Sequence, residues 1–492
     1  MMRIREWGII TRCTQRSLDD ADRLPLDALK VPPKTEKCMS ELLHQDSVAI
    51  IAPDESELRQ IVEWVLVEAR KKGVDQAEAV ASHDIGLSAT ARLGDVENLE
   101  YTNDRGMGIT VYKGLRKGSA STSDFRPEAL REAVEKACSF ANYTAADECS
   151  GLAEAELMAS GDLPDLDLQH DWNLTPDKAI EMAIACEDAA RSFDSRITNS
   201  EGATVSSNNG VRAYGNTHGF LQSLAKTSHS VSCIVIGDED GGMQRDYWFS
   251  AARDANDLEP VRQIGEKAAR RTVDRLGSRK IATTQAPILF APEIARGFIG
   301  HAIGAIAGGA QYRHSSFLLD AAGEQIFPKF IQIQERPHIP KGMASAAFDA
   351  EGVATRNRDI VTDGVIQGYI MGSYSARRLG LKTTGNAGGT HNLVVSANAT
   401  DQAEIIASMK RGLLVQELIG QGVNGVTGDY SRGAVGYWIE DGKIAFPVHE
   451  VTIAGNLRDL YQRISAVGND KDMRGGIRCG SILVDEMTIA GT

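Results

Sequence analysis

The sequence predicts an α+β fold. Its N-terminal half combines an antiparallel sheet with helices, and its C-terminal half is mostly antiparallel β, barrel- or sandwich-like. Three observations lead there. Segments with helical periodicity lie mainly before residue 277. Alternating segments broken by turn residues occupy 77–123 and about 203–237. Further on, Asp363-Gly364 and Asp441-Gly442 sit between the β-rich runs VTDGVI and YWIEDGKIAF, a strong hairpin signal.

Residues 1 to about 38 are irregular, with Pro32-Pro33 and mixed charge, and read as a disordered extension with Met39 an alternative start. Residues 56–72 form an amphipathic helix: Leu58, Ile61, Val62, Val65, Leu66 and Ala69 recur at i, i+3, i+4 spacing until Gly73 stops it. The 77–123 stretch reads as a meander, with breaks at Gly94-Asp95, Asn103-Asp104 and Lys113-Gly114. Helices follow at 127–141 and 176–193, the second with Thr175 as N-cap and Pro176 at its first position. After the 203–237 strands comes a helix at 258–276. The small, polar stretch 277–285 then marks a boundary, giving an N-terminal α+β domain over 39–285 and a C-terminal β-rich domain over 286–492. Helices at about 401–418 and 456–464 interrupt the second half.

One helix stands apart. In GFIGHAIGAIAGGAQYRH, 297–314, Pro292 suits the first turn and Ile294, Phe298, Ala302 and Ile306 make an apolar face. A second stripe is Gly300, Gly304 and Gly308. Glycine costs about 1 kcal/mol relative to alanine inside a helix, so this stripe needs a reason. His301 lies among these glycines with no acidic neighbour.

The chain has 492 residues, 42% hydrophobic and 24% charged, as in soluble globular proteins of more than one domain. With a net charge of −14 it has no basic field to hold a phosphate backbone, and nucleic acid is not an expected partner. The pairs Lys71-Lys72 and Arg270-Arg271 read as solvated helix faces. Seven scattered cysteines without a C-x-x-C pair argue against a disulfide framework or zinc ribbon. No apolar run reaches the roughly 18–20 residues that span a bilayer, so no membrane is expected. The opening MMRIREWGIITRCTQRS lacks a clean signal peptide, and the expected location is the cytoplasm.

Familiar catalytic motifs fail one at a time. His449-Glu450 in HEVTIA resembles the start of a zinc helix. The positions that should carry a second histidine hold Ile453 and Ala454, and the alternation is that of a strand. GQGVNG, 420–425, matches a dinucleotide fingerprint in form, but a turn and a strand follow it where a helix is required. No G-x-S-x-G elbow or phosphate-binding P-loop occurs. His218, His229, His314 and His391 are far apart, and Cys479 in RGGIRCGSILV looks like a small core residue. The irregular run GSYSARRLGLKTTGNAGGTHN, 372–392, carries Tyr374, Arg377, Arg378 and His391; groove-lining and structural readings of it both stand.

That run, together with GQGVNGVTGDYSRGAVGYWIEDG, HEVTIAGNLRDL and VGNDKDMRGGIRCGSILVDEMTIAG, resembles the PmbA (TldE) branch of the TldD/PmbA family, also called modulators of DNA gyrase. RITNSEGATVSSNNG, 196–210, resembles that family's N-terminal half, and the likeness runs from about residue 45 to the end. The resemblance implies a cytoplasmic metallopeptidase in which a PmbA-type chain assembles with a TldD-type chain. In this picture the TldD-type chain holds zinc on an H-E-x-x-x-H helix, with a cysteine near its C-terminus. The implied substrates are short or unfolded peptides, including peptide-antibiotic precursors and antitoxins.

Carried over by position, the resemblance places the hexad on Ile299-Gly300-His301-Ala302-Ile303-Gly304. The two histidines fall on Ile299 and Gly304 and the glutamate on Gly300, leaving only Cys479 at a matching ligand position. Zinc catalysis needs three protein ligands, so the resemblance implies no metal or cofactor bound by this chain and zinc in the TldD-type partner. His301, Tyr374, His391 and Cys479 become candidates for lining a substrate groove. Gly300, Gly304 and Gly308 would let another backbone approach closely. Two alternatives stand beside this: a peptidase active on its own through an unconventional site, and a non-enzymatic substrate adaptor. Self-association is also left open.

Overall fold

The computed structural model describes residues 54–491, so the expected extension over 1–38 lies outside the described residues. Its first sheet joins β1 (Gln76–Arg92), β2 (Asp95–Lys113), β3 (Arg116–Thr122), β4 (Ile197–Asn216), β5 (Leu221–Glu239) and β6 (Gly242–Ala252), antiparallel in the order β3-β2-β1-β4-β5-β6. Asn103-Asp104 is not a break, because β2 runs straight through it with Asn103 opposite Ile85 and Asp104 opposite Asp84. Long cross-strand pairing overrides the local turn preference.

Four helices cover one face of this sheet: α1 (Glu55–Lys71), α2 (Pro127–Tyr143), α3 (Pro176–Arg191) and α4 (Val261–Asp274). Asp54 caps α1 by accepting from the Ser56 N–H at 2.8 Å, and the Thr175 hydroxyl caps α3 by accepting from Lys178. Alternate β1 residues Ala77, Ala79, Ala81, Leu87 and Ala89 turn inward, as period-two patterning requires. Alanine on the sheet lets helices sit close. α3 and α4 sit closer still: a Cβ on Gly265 would lie 2.1 Å from the Cys186 carbonyl oxygen.

The second half is built on a closed barrel. β7 (Thr284–Phe290), β12 (Arg411–Ile419), β13 (Asp429–Glu440), β14 (Lys443–Asn456) and β17 (Ile482–Ala490) follow the order β14-β13-β12-β7-β17, and β14 pairs with β17 to close the ring. Only the β7–β12 contact is parallel. β15 (Ile464–Val467) adds to β17 outside the ring. A smaller sheet orders β10 (Val365–Ile366), β9 (Arg358–Thr362), β8 (Ile333–Glu335), β11 (Leu393–Val395) and β16 (Ile477–Arg478). The hairpin turns at Asp363-Gly364 and Asp441-Gly442 fall where expected, between β9 and β10 and between β13 and β14.

The helices of this half are α5 (Pro292–Ala305), α6 (Gly308–Tyr312), α7 (Ser373–Arg378), α8 (Gln402–Ser408) and α9 (Leu457–Gln462). The helix expected over 401–418 is only its first half. Past Ser408 the chain becomes β12, whose Leu413, Leu414 and Val415 pair with Ile288, Leu289 and Phe290 of β7. The glycine helix is also interrupted. α5 ends at Ala305 with Ile306 as its C-cap, and α6 starts at Gly308, whose N–H donates to the Ile370 carbonyl at 2.8 Å.

Candidate functional site

α5 begins with Pro292 in its first turn and lays one face on the barrel core. Phe298 stacks on Phe290 of β7 at 4.9 Å and meets Tyr461 of α9 at the same distance. The Tyr461 hydroxyl donates to the Phe298 carbonyl at 2.9 Å, satisfying a polar group that is otherwise shut in the core. Ile299 is wholly buried in this cluster.

The other side of α5 opens on a cavity of about 210 Å³. Gly300, His301 and Gly304 form its helical wall, and Phe317 with Val423 and Gly425 closes it opposite. Gly425 holds Phe317 in place by accepting from its backbone N–H at 3.0 Å. A Cβ on Gly304 would meet nothing within 4 Å, and one on Gly300 only Ile477 Cδ1 at 3.7 Å. These two glycines therefore border open space, and no backbone among the described residues packs against them. Gly308 is different, since a Cβ there would lie 2.7 Å from Met371 Cγ and Ser375 Oγ.

His301 stands 6.1 Å ring-to-ring from Tyr430, edge to face. Burial and the nearby Arg432 guanidinium hold its pKa below the ordinary histidine range, so the imidazole is neutral near pH 7. The Tyr430 hydroxyl is buried without a hydrogen-bond partner among the described residues, and burial pushes its pKa up to about 12. The donors around α5 do not fit a zinc ion. Ile299 is an apolar core residue, the two glycines carry no side chain, and His301 is a single imidazole. Among the described residues no three His, Cys, Asp or Glu side chains are grouped to hold a metal.

The remaining groove candidates lie outside this cavity's lining. Cys479 is fully buried in the barrel core, and burial raises its thiol pKa. Tyr374, on α7, packs against Tyr312 at 5.9 Å and donates its hydroxyl to Asp147 at 2.7 Å. His391 is nearly buried; its backbone N–H donates to Glu335 at 2.8 Å, and its ring lies 3.2 Å from the Gly385 carbonyl. Arg377 ties the same run to the first half through the Gly151 and Leu152 carbonyls and Glu154. Sequence reasoning missed the 420–425 loop as a wall of the α5 cavity, because its only motif signal pointed to nucleotides.

A larger cavity, about 390 Å³, lies between the helix-free face of the first sheet and two loops of the second half. Glu78, Arg212, Tyr214 and Glu351 line it. Burial pushes the Glu78 carboxyl up while the Tyr112 and Tyr214 hydroxyls donate to it at 3.1 and 2.9 Å. Asp349 fixes both loops by accepting from the backbone N–H groups of Glu351, Val353 and Ala387, each within 3.0 Å. Burial nevertheless lifts its carboxyl to about 6.

Known proteins share this architecture. The PmbA/TldA metallopeptidase domain 1 matches residues 77–141, the central domain 169–276 and the C-terminal domain 283–491. The metalloprotease PmbA of Escherichia coli O157:H7 is 49% identical over 85% of this chain and 92% of its own. A PmbA homolog of Haemophilus influenzae is 46% identical over 91% of this chain and 99% of its own. The crystal structure of a Bacteroides thetaiotaomicron protein, proposed to be a modulator of DNA gyrase, superposes with a TM-score of 0.84 at 28% identity. It covers 89% of this chain and 99% of that one.

Proposed function

The chain belongs to the PmbA/TldD metallopeptidase family, and from that premise we propose that it is the non-catalytic subunit of a heteromeric peptidase. Its partner is a TldD-type chain that carries the zinc and the general base. Within the assembly this chain shapes the chamber and helps hold short or unfolded peptides, with main-chain hydrogen bonds supplying affinity independent of sequence. Peptide-antibiotic precursors and antitoxins are the proposed substrate classes, and the cytoplasm the proposed location.

One observation carries the reading. The positions that the resemblance assigns to two zinc ligands and a base are a buried isoleucine and two glycines bordering a cavity. Zinc-dependent hydrolysis needs ligands that hold the metal and a base for its water, and α5 offers neither. Metalloproteases of the TldD type occur among the relatives of this chain, such as a Haemophilus influenzae TldD homolog that is 24% identical over 81% of it. Among the described residues no helix is long and apolar enough to cross a membrane.

The test is co-purification with a TldD-type chain, followed by zinc analysis and peptide hydrolysis on each component and on the pair. Zinc in the TldD-type chain and hydrolysis by the pair are expected. Stoichiometric zinc and hydrolysis from this chain alone would overturn the proposal. Unchanged partner activity when this chain is omitted would favour the adaptor reading.

A further inference from the structure

The first sheet has two outer margins, and they are treated differently. On one side the part of β5 that extends beyond β6 is met by the preceding chain, where the Thr227 N–H donates to the Leu168 carbonyl at 2.9 Å. On the other side β2 is paired with β1 along its whole length but with β3 only over Met107–Lys113. Among the described residues the outer edge of Asn98–Gly106 has no strand partner. Such an edge presents a row of free N–H and C=O groups, which proteins ordinarily cover or blunt.

Its side chains sort by face. Leu99 and Tyr101 lie opposite Ala89 and Leu87, on the helix-covered side of the sheet. They reach past the helices and are 44% and 46% exposed, with Val96 beside them at 46%. On the reverse face Glu100 lies opposite Ser88 and Asp104 opposite Asp84. Neither Glu100 nor Asp104 has an ion-pair partner among the described residues. A strand laid along this edge would meet Leu99 and Tyr101, followed by Asn103 and Arg105, with one set of alternate residues and the carboxylates of Glu100 and Asp104 with the other.

We propose that the outer edge of Asn98–Gly106 is a docking site for an extended peptide in which lysine or arginine alternates with apolar residues. A second copy of this chain is a poor occupant in the register that pairs the whole edge. Symmetric antiparallel pairing about Thr102 would set Glu100 of each copy against Asp104 of the other, and like charges directly opposite are destabilising. The edge is about 30 Å long at ~3.4 Å per residue, so an added strand covers on the order of a few hundred Å² per side. A lasting subunit interface needs roughly 800 Å² per partner, so the edge suits an exchangeable peptide. The inference shares with the proposed function only its ligand class, an extended peptide.

The experiment is fluorescence anisotropy on the full chain with a labelled synthetic peptide alternating lysine and valine. Tighter binding than for a glutamate–valine counterpart is expected. N-methylation of alternate residues should abolish binding in one of its two phases. Glu100→Lys with Asp104→Lys should weaken the lysine–valine peptide about tenfold and favour the acidic one. Equal binding of the two peptides, or indifference to N-methylation in both phases, would overturn the assignment even if the double variant failed to fold. A double variant that changes oligomeric state but not peptide affinity would assign the edge to a second copy. Binding is read on this chain alone, so failure here is distinct from absent hydrolysis by the pair.

Discussion

Nε of Arg275 lies 2.8 Å from Oδ2 of Asp246, and the two side chains are 2% and 0% exposed. The contact is close but not aligned as a hydrogen bond at Nε; Nη1 instead donates to Glu417 at 2.5 Å and to the Arg245 carbonyl at 3.0 Å. Arg271 adds a second guanidinium, 3.1 Å from Asp246 and 2.8 Å from Glu293. Through these groups the end of α4 and strand β6 are joined to β12 of the barrel. Arg271 is thus no solvated surface charge, as its place in an Arg-Arg pair suggests.

Removing Asp246 leaves two guanidinium groups without their shared buried anion. Asp246→Ala is expected to lower stability by about 3–5 kcal/mol. Denaturant unfolding measures it, and a loss below about 1 kcal/mol would show that the cluster relaxes into water.

The glycines of the interrupted helix should respond in opposite directions. Gly304→Ala places a methyl where nothing lies within 4 Å and is expected to stabilise by about 0.5–1 kcal/mol. Gly308→Ala drives its methyl into Met371 and Ser375 and should destabilise by about 1–3 kcal/mol. Thermal unfolding of both variants gives the order; the reverse order would refute the packing argument.

Asp349 makes stability depend on pH. Its folded-state pKa of about 6 lies above the ordinary aspartate value of 3.8, so the native state holds the proton longer than the unfolded chain does. Its contribution therefore costs stability as pH rises from about 4 to about 6, by up to about 3 kcal/mol at neutrality. Asp349→Asn removes that dependence and also loses the acceptor for the Ala387 N–H. Unfolding at pH 4 and pH 7 should show the wild type losing ground to the variant; a constant gap would mean that Asp349 titrates normally.

Cys479 should resist modification. A buried thiol with a raised pKa offers almost no thiolate, so native protein treated with iodoacetamide should be labelled at the partly exposed Cys149 well before Cys479. Peptide mass mapping reads the order. Early labelling of Cys479 would mean that the barrel core opens, as a groove-lining cysteine would require.

Legibility from sequence followed the range of the interactions. α1 could be read from its apolar stripe and the Gly73 stop, and α3 from the Thr175 cap and Pro176, because these signals are local. The strand Arg411–Ile419 could not, since Gln402–Ser408 leads into it as a helix and its partner is Phe290 with its neighbours, far back in the chain. Asn103-Asp104 misled for the same reason in reverse. At the site, Pro292, the buried face of α5 and the core placement of Cys479 were readable. The cavity was not, because its far wall comes from Phe317, Val423 and Gly425, which share no periodicity with the helix.

The barrel ring is sealed by β17, which pairs with β7, the first strand of that half, and with β14. During synthesis every strand of the first sheet has been made before β7 emerges, whereas the ring must wait for Ile482–Ala490. Until then β7 and β14 each offer a bare margin, and the newly made second half cannot bury its core. A chain cut before Ile482 would carry a finished front and an unclosed back, and quality control would meet that back first.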